Sequence, residues 1–581
     1  MSLDVALQNA LTGLKTVQSA LQINSNNVAN ANTDGYTKKS AEQVSLILAG
    51  QGAGVAIADV TRQINENLVR ELRMRISTMG QLSVAAEYFA RTQDIFGSLT
   101  SNSSLTAGLS DLAGAFQALA TSPEDAARQQ AVITAAVTLA QRFNDASRDI
   151  QKMRTDADQA IATAINTVNT KLTEIADLNN QIARSYAQGQ PTADLLDQRD
   201  KALSELAEQM DFTTFTRDSG EVVIVTSGGR TLLDGVAPTL SHSPIVAADP
   251  GVVYPGAIDG IDLGGADITA EIRSGRIAAL VNMRDNELPA LQAQIDSLAT
   301  ALADQINAIH NDGAGFPAAN ALTGTRAVTP ADPVVGTGIV RIAVVDGNGH
   351  LVAAPLDLDL ASVADVNDIV NAINTAFGAA ATASVVNGRL QIAATNGAHG
   401  IAINEGTSAI GTQGFSHYFG LNDLFVSDGG TSLARSMRVR SDLIASPYVL
   451  SRGELSMTAA VPGDTALASG NNIVAARLAE AFNRGVSFAA AGGLPATTTT
   501  LADYSGQILG LNATAAANAT STLGYQQSLF NDLRFRADSV SGVNLDEEMA
   551  SLITLQRNFG AVSRVINTAS ELMDVLLHMA N

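Results

Sequence analysis

Residues 552–577 read LITLQRNFGAVSRVINTASELMDVLL, and the apolar spacing in this stretch decides the fold. Leu552, Leu555, Phe559, Val562, Ile566, Ala569, Met573 and Leu576 follow intervals of 3, 4, 3, 4, 3, 4 and 3. An apolar repeat of about 3.5 residues is the narrow seam of a coiled coil, not the broad stripe of a surface helix. The other end of the chain carries the same signal. Leu3, Leu7, Ala10, Leu14, Val17 and Leu21 follow 4, 3, 4, 3 and 4. Upstream of the C-terminal seam, Asn544 is placed to cap a helix, with Glu547 three residues on and Asp546 and Glu548 in the first turn. Two narrow seams at opposite ends can be buried against each other or against neighbouring copies. Termini fray unless tied down, and a lone helix pair projecting from a body is marginal. The ends are therefore expected to order only in a polymer.

Working inward, residues 124–188 contain neither Gly nor Pro. Pro123 precedes the run and Gly189 and Pro191 end it, so it is one helix of about 60 residues or two joined by a polar break. Helical patterns also cover about 194–209, 287–310 and 471–483, and run from about 501 to the end. Between them, residues 221–234 (EVVIVTSGGRTLLD) read as a β-hairpin around Gly228–Gly229. From about 325 to 465 the chain is rich in Gly, Val, Thr and turn signals, interrupted by a short helix at about 363–377. The predicted fold class is α+β multidomain: terminal coiled-coil helices and a long-helix body with inserted β-rich domains. The expected division is 1–36 with 543–581 as a terminal coiled-coil core, and 37–210 with 270–312 and 470–542 as a helical body. Residues 211–269 form a small β-rich domain. Residues 313–469 form the outer β-rich domain or domains, including a β-α-β insert at about 340–403.

At 581 residues the chain has room for about four domains. With 46% hydrophobic and 16% charged residues it is not disordered throughout. A net charge of −22 argues against nucleic acid or an anionic membrane as a partner. With no Cys, thiol nucleophiles, Cys-ligated zinc and disulfides are excluded. No run of 18 apolar residues reads as a membrane span. Asp4, Gln8 and Asn9 interrupt any secretory h-region. The six histidines, His242, His310, His350, His399, His417 and His578, show no metal-binding spacing. Asp346-Gly347-Asn348-Gly349-His350 starts like a calcium loop, but Leu351 and Asp357 stand where Gly and Glu are needed, so a tight β-turn is the better reading. Asp357 and Asp359 share one face of a strand, where charges discourage edge pairing. No catalytic residue, metal ligand or cofactor is expected, and the chain is not read as an enzyme.

Residues 25–37 read SNNVANANTDGYT. As chemistry this is a helix ending: Asn26, Asn27, Asn30 and Asn32 cap and tolerate left-handed geometry, Gly35 supplies positive φ, and Tyr36 anchors the exit. A heptad helix followed by this pattern resembles the N-terminal signature of the bacterial flagellar axial proteins. Residues 541–550 (SGVNLDEEMA), leading into Leu555-Gln556 and Arg564-Val565-Ile566, resemble the C-terminal signature of the hook-associated protein 1 family within that group. Leu195-Leu196-Asp197-Gln198-Arg199-Asp200 fits the same family. So does Arg284-Asp285, followed by Leu288-Pro289 and the helix with Gln294-Ile295-Asp296. Lys38 departs from the family, which often has Arg there.

The resemblance implies a structural protein exported through the flagellar apparatus without a cleaved signal peptide. It would act outside the cell, in a homo-oligomeric ring between hook and filament. The implied partners are further copies of the chain, hook protein, a second hook–filament junction protein and an export chaperone. The assembly residues would be Leu3, Leu7, Leu14, Val17, Leu21, Leu552, Leu555, Phe559, Val562, Ile566, Met573 and Leu576. The motif residues are Asn26, Asn27, Asn30, Thr33, Gly35, Tyr36, Asn544, Leu545, Asp546 and Glu547. Alternatives are another axial protein, such as hook protein or flagellin, and a secreted hydrolase on a flagellar scaffold.

Overall fold

The computed structural model describes residues 3–48, 50–96 and 104–580. The expected terminal core extends to residues 1, 2 and 581 and the expected body includes 49 and 97–103; these lie outside the described residues. The chain runs through α1 (Leu3–Ala29), β1 (Lys39–Leu48), β2 (Gln51–Arg62), α2 (Glu66–Phe96), α3 (Leu105–Thr121), α4 (Ala126–Ala187) and α5 (Ala193–Gln209). A small sheet of β3 (Thr213–Thr216), β4 (Val222–Val225) and β5 (Thr231–Leu233) follows, then α6 (Gly275–Asn282) and α7 (Leu288–Asn311). The outer region holds α8 (Val366–Phe377) and the short helices α9 (Phe415–Phe419), α10 (Leu433–Ser436) and α11 (Ser441–Ala445). The chain closes with α12 (Ile473–Ala481), α13 (Leu501–Ser541) and α14 (Leu545–Ala580). The fold is α+β and multidomain.

The Gly- and Pro-free stretch forms one helix, α4, of 62 residues. Asp125 caps it by accepting the Ala127 N–H at 2.8 Å. Its apolar face is fully buried along its length, from Val132 and Phe143 to Ile161, Leu172 and Ile175, against α3, α5, α6 and α7. Polar groups inside this body are wired. Arg284 is buried in a π-helical turn, Met283–Glu287, between α6 and α7. It donates to Asp158 at 2.6 Å and grips Asp285 with two bonds of 2.8 and 2.7 Å. His242 Nε2 lies 2.8 Å from Asp158 and Nδ1 lies 3.1 Å from the Gly260 carbonyl. Both ring nitrogens face acceptors, so both donate and the ring is an imidazolium. Burial pulls its pKa down, but the bonds to Asp158 and the Gly260 carbonyl and the charge of Asp158 together outweigh this and hold it above the usual histidine range. His242, Asp158 and Arg284 side chains are wholly buried, sealed from any substrate.

The outer region has a second core, built from two three-stranded antiparallel sheets and α8. One sheet orders Leu356–Asp359, Ile339–Val345 and Gly400–Asn404; the other orders Ala381–Val386, Arg389–Ala394 and Ala321–Thr323. The end of α7 ties this region to the body. Asn307 accepts the Leu424 and Phe425 amides at 2.9 Å, Asn311 donates to Asp423 at 2.7 Å, and buried His310 accepts the Ser451 amide at 3.0 Å. Burial lowers the His310 pKa to about 4, so it stays neutral with its Nδ1–H on the Asn422 carbonyl.

Within 37–210, read from sequence as helical, Lys39–Leu48 and Gln51–Arg62 pair as an antiparallel hairpin, β1–β2, which lies against α1. Two register irregularities, at Glu42/Gln43 and Leu46/Ile47, break its alternation. Gly54 has φ +113°, and a Cβ there would collide with the Thr12 side chain of α1.

Candidate assembly site at the chain ends

The terminal helices α1 and α14 are formed and pack side by side within the one chain, which departs from the expectation that the ends order only in a polymer: their polar bonds and half-covered seams already hold them. Asn24, near the end of α1, touches Glu548, near the start of α14, so the two run antiparallel. Along equal helical rise from that contact, Val17 comes opposite Leu555, Ala10 opposite Val562 and Leu3 opposite Ala569. Ala10 and Ala569 are the small seam residues, and both are buried. The larger ones are only half covered. Leu3, Leu7, Leu14, Val17 and Leu21 are half-buried, as are Leu552, Leu555, Val562, Ile566 and Met573. Phe559 is 36% and Leu576 56% exposed. Beyond Ala569, α14 continues for about three turns that α1, along equal rise, does not reach. Leu572, Val575, Leu576, Leu577 and Met579 are all exposed there.

The N-terminal motif is the knot beneath this pair. Asn24 Nδ2 donates to the Glu548 carboxylate at 2.5 Å and to its carbonyl at 3.0 Å. Asn27 Nδ2 donates to the same carboxylate at 3.2 Å and to the Lys39 carbonyl at 2.9 Å. Asn27 Oδ1 accepts the Tyr36 hydroxyl at 2.9 Å and the Lys39 amide at 3.1 Å. Lys38 reaches Glu547 at 3.0 Å and Glu548 at 3.2 Å, while its amide donates to Ser541 at 2.7 Å. Hydrogen bonding to Glu547 raises the Lys38 pKa. Asn30 accepts the Thr33 hydroxyl at 3.2 Å and Gly35 has φ +82°, which closes the turn into Tyr36. Asn544 caps α14 through the Asp546 amide at 3.0 Å. Glu547 turns to Lys38 instead of closing a capping box. Asn26 lines the open side of a groove of about 890 Å³ between α1, the hairpin and α5. Leu545 is 47% exposed and Asp546 is exposed.

The knot is fastened to the body through α5. The Asp197 carboxylate accepts the Thr37 hydroxyl at 2.7 Å and pairs with Lys39 at 3.1 Å and Arg62 at 3.0 Å. Asp200 pairs with Arg62 at 2.8 Å and Arg73 at 2.5 Å. Lys39 also stands 3.6 Å above the Tyr36 ring. Buried Arg199 donates to Asn179 at 3.1 Å and Gly220 at 2.5 Å. Reading by residue type missed Asn24, Lys39, Arg62 and Arg73. Asn24 was legible: the 3–4 count through Leu21 lands on it, and the count back from Leu552 lands on Glu548. The ion pairs to α5 leave no such periodic trace.

Nothing in this arrangement resembles a catalytic constellation; it joins four elements by complementary surfaces. Among the described residues no helix is long and apolar enough to cross a membrane. The family model for the helical domain of flagellar hook-associated protein FlgK matches residues 89–323. The model for flagella basal body rod proteins matches 7–37, and that for the C-terminal part of the basal body rod FlgEFG proteins matches 537–579. Flagellar hook-associated protein 1 of Salmonella typhimurium is 26% identical over 99% of both chains. That of Bacillus subtilis is 23% identical over 61% of this chain and 76% of its own. Among solved structures, the flagellar hook junction protein FlgK from Burkholderia pseudomallei aligns with a TM-score of 0.48 at 15% identity, over 81% of this chain and all of that one. With three family models in this order and a relative matched end to end, the chain is similar to flagellar hook-associated protein 1 along its whole length and is a structural component of the flagellar hook–filament junction.

Proposed function

We propose that the chain builds its layer of the junction by completing, with neighbouring copies, the apolar surface that α1 and α14 leave half covered. The observation that carries this is the uncovered end of α14, where five large apolar residues between Leu572 and Met579 stand in solvent. Patches of that kind mark interaction sites in soluble proteins. Subunits that join head to tail without closing in one plane build helical tubes. The assembly residues are those of the two seams, acting by packing and not by chemistry. The ring of copies sits outside the cell, with hook protein on one side and the second junction protein on the other. The chain reaches that place through the flagellar export route, its α14 segment shielded by an export chaperone beforehand.

Leu576→Asp places a charge on the uncovered end and leaves the α1 contact in place. Cells carrying Leu576→Asp or Phe559→Asp are expected to keep a folded body and to lose incorporation of the chain. They should show hooks without filaments and flagellin shed into the medium. Normal filaments in both strains would contradict the proposal. Loss of the hook itself in a deletion strain would instead point to hook protein.

A further inference from the structure

The heptad pattern alone does not choose how α1 lies on α14. In the observed register Val17 comes opposite Leu555 and Leu3 opposite Ala569. A slide of α1 by one heptad, about 10 Å, toward the C-terminal end of α14 keeps the alternate seam residues Leu3, Ala10 and Val17 on seam residues. Val17 would then face Val562, Ala10 would face Ala569, and Leu3 would face Leu576. That second register also covers apolar surface that the first leaves in solvent, so hydrophobic burial by itself favours it. The observed register keeps Leu572, Leu576 and Met579 open.

Outside the contacts of α1 with the hairpin, through Thr12, Thr16 and Asn27, one position within the seam separates the two. The 3–4 count through Leu14, Val17 and Leu21 continues to Asn24, and the count back from Leu555 and Leu552 reaches Glu548. Both are buried, at 4% exposure each. In the observed register they meet at 2.5 Å, with Asn27 and Lys38 completing the Glu548 carboxylate. After a slide, Asn24 would face Leu555 and Glu548 would lose its buried donors. A buried polar pair at a seam position discriminates between registers at some cost in stability. The cost is visible: the Asn24 amide oxygen has no hydrogen-bond partner.

We propose that Asn24 and Glu548 are register-setting residues, which hold α1 back by one heptad and so keep the end of α14 free. The proposal goes beyond the assembly reading, since it concerns pairing inside one chain and is tested without flagella. The chain has no Cys, so introduced pairs report register directly. In the full-length protein, Val17→Cys with Leu555→Cys marks the observed register, and Val17→Cys with Val562→Cys marks the slid one. Under mild oxidation only the first pair should close, as an intrachain disulfide. With Asn24→Leu and Glu548→Leu added, the second pair should rise from a trace to the main product, and Glu548→Gln alone should leave the first pair dominant. Closure of the second pair in the otherwise unchanged chain overturns the proposal. So does an unshifted pattern in the double-Leu variant. Loss of both cross-links over an intact body also overturns it, because the polar pair would then hold the helices together without choosing their register.

Discussion

The two helical surfaces of this molecule, α4 in the body and the α1–α14 pair at the ends, use similar apolar residues to opposite effect. Along α4 the face from Val132 to Ile182 is sealed by helices of the same chain. Along α1 the buried positions are Ala10, Thr16, Asn24 and Asn27, and the leucines between them are half exposed. The body spends its apolar surface on folding. The ends leave theirs partly uncovered, and the bonds that fix them are polar.

The comparison breaks most sharply inside the body. Arg284→Ala leaves Asp158 and Asp285 buried without their guanidinium, and should cost about 3–5 kcal/mol. Calorimetry should show a large fall in the melting temperature of the body, while the Val17–Leu555 cross-link still forms. A second test uses acid. His310 is held neutral, with its pKa lowered to about 4 from 6.5. The unfolded chain takes up that proton first, so this contribution is complete above pH 6.5 and is lost as pH falls toward 4. It is on the order of 3 kcal/mol. Melting temperatures measured from pH 7 to 4 should fall less steeply in His310→Asn than in the unaltered chain. The smallest effect is expected at the ends. Arg534→Ala removes an ion pair to Asp34 in which both side chains are more than half exposed, and should change stability by about 1 kcal/mol or less. A body melting temperature that drops as far as in Arg284→Ala would mean that ends and body fold as one unit.

The sequence disclosed both helical surfaces but not the elements and polar partners that hold them. The seams and α4 were legible because helical periodicity persists over many turns, and the absence of Gly and Pro from 124 to 188 allowed an unbroken helix. The hairpin at 39–62 was not. Its strands mix Lys39, Glu42 and Gln43 with apolar residues, and two register irregularities move side chains across faces. It is recognised through α1, where Thr12 and Thr16 meet the backbone of Val55. The motif SNNVANANTDGYT was visible as a helix ending, yet its partners Glu548 and Asp197 lie hundreds of residues away in sequence or in a separate helix. Composition says nothing about which carboxylate an asparagine will meet. The buried Asp158–His242–Arg284 cluster was hidden for the same reason, since scattered histidines look alike until the fold surrounds one with acceptors.

The most direct measurement is hydrogen exchange on the full-length chain, first as a dilute monomer and then within assembled junctions. Amides of α4 between Val132 and Ile182 should be protected equally in both states. Amides from Val565 to Met579 should exchange rapidly in the monomer and become slow on assembly. If the α14 amides in the dilute monomer are already as slow as those of α4, the ends are finished within one chain, and the account fails.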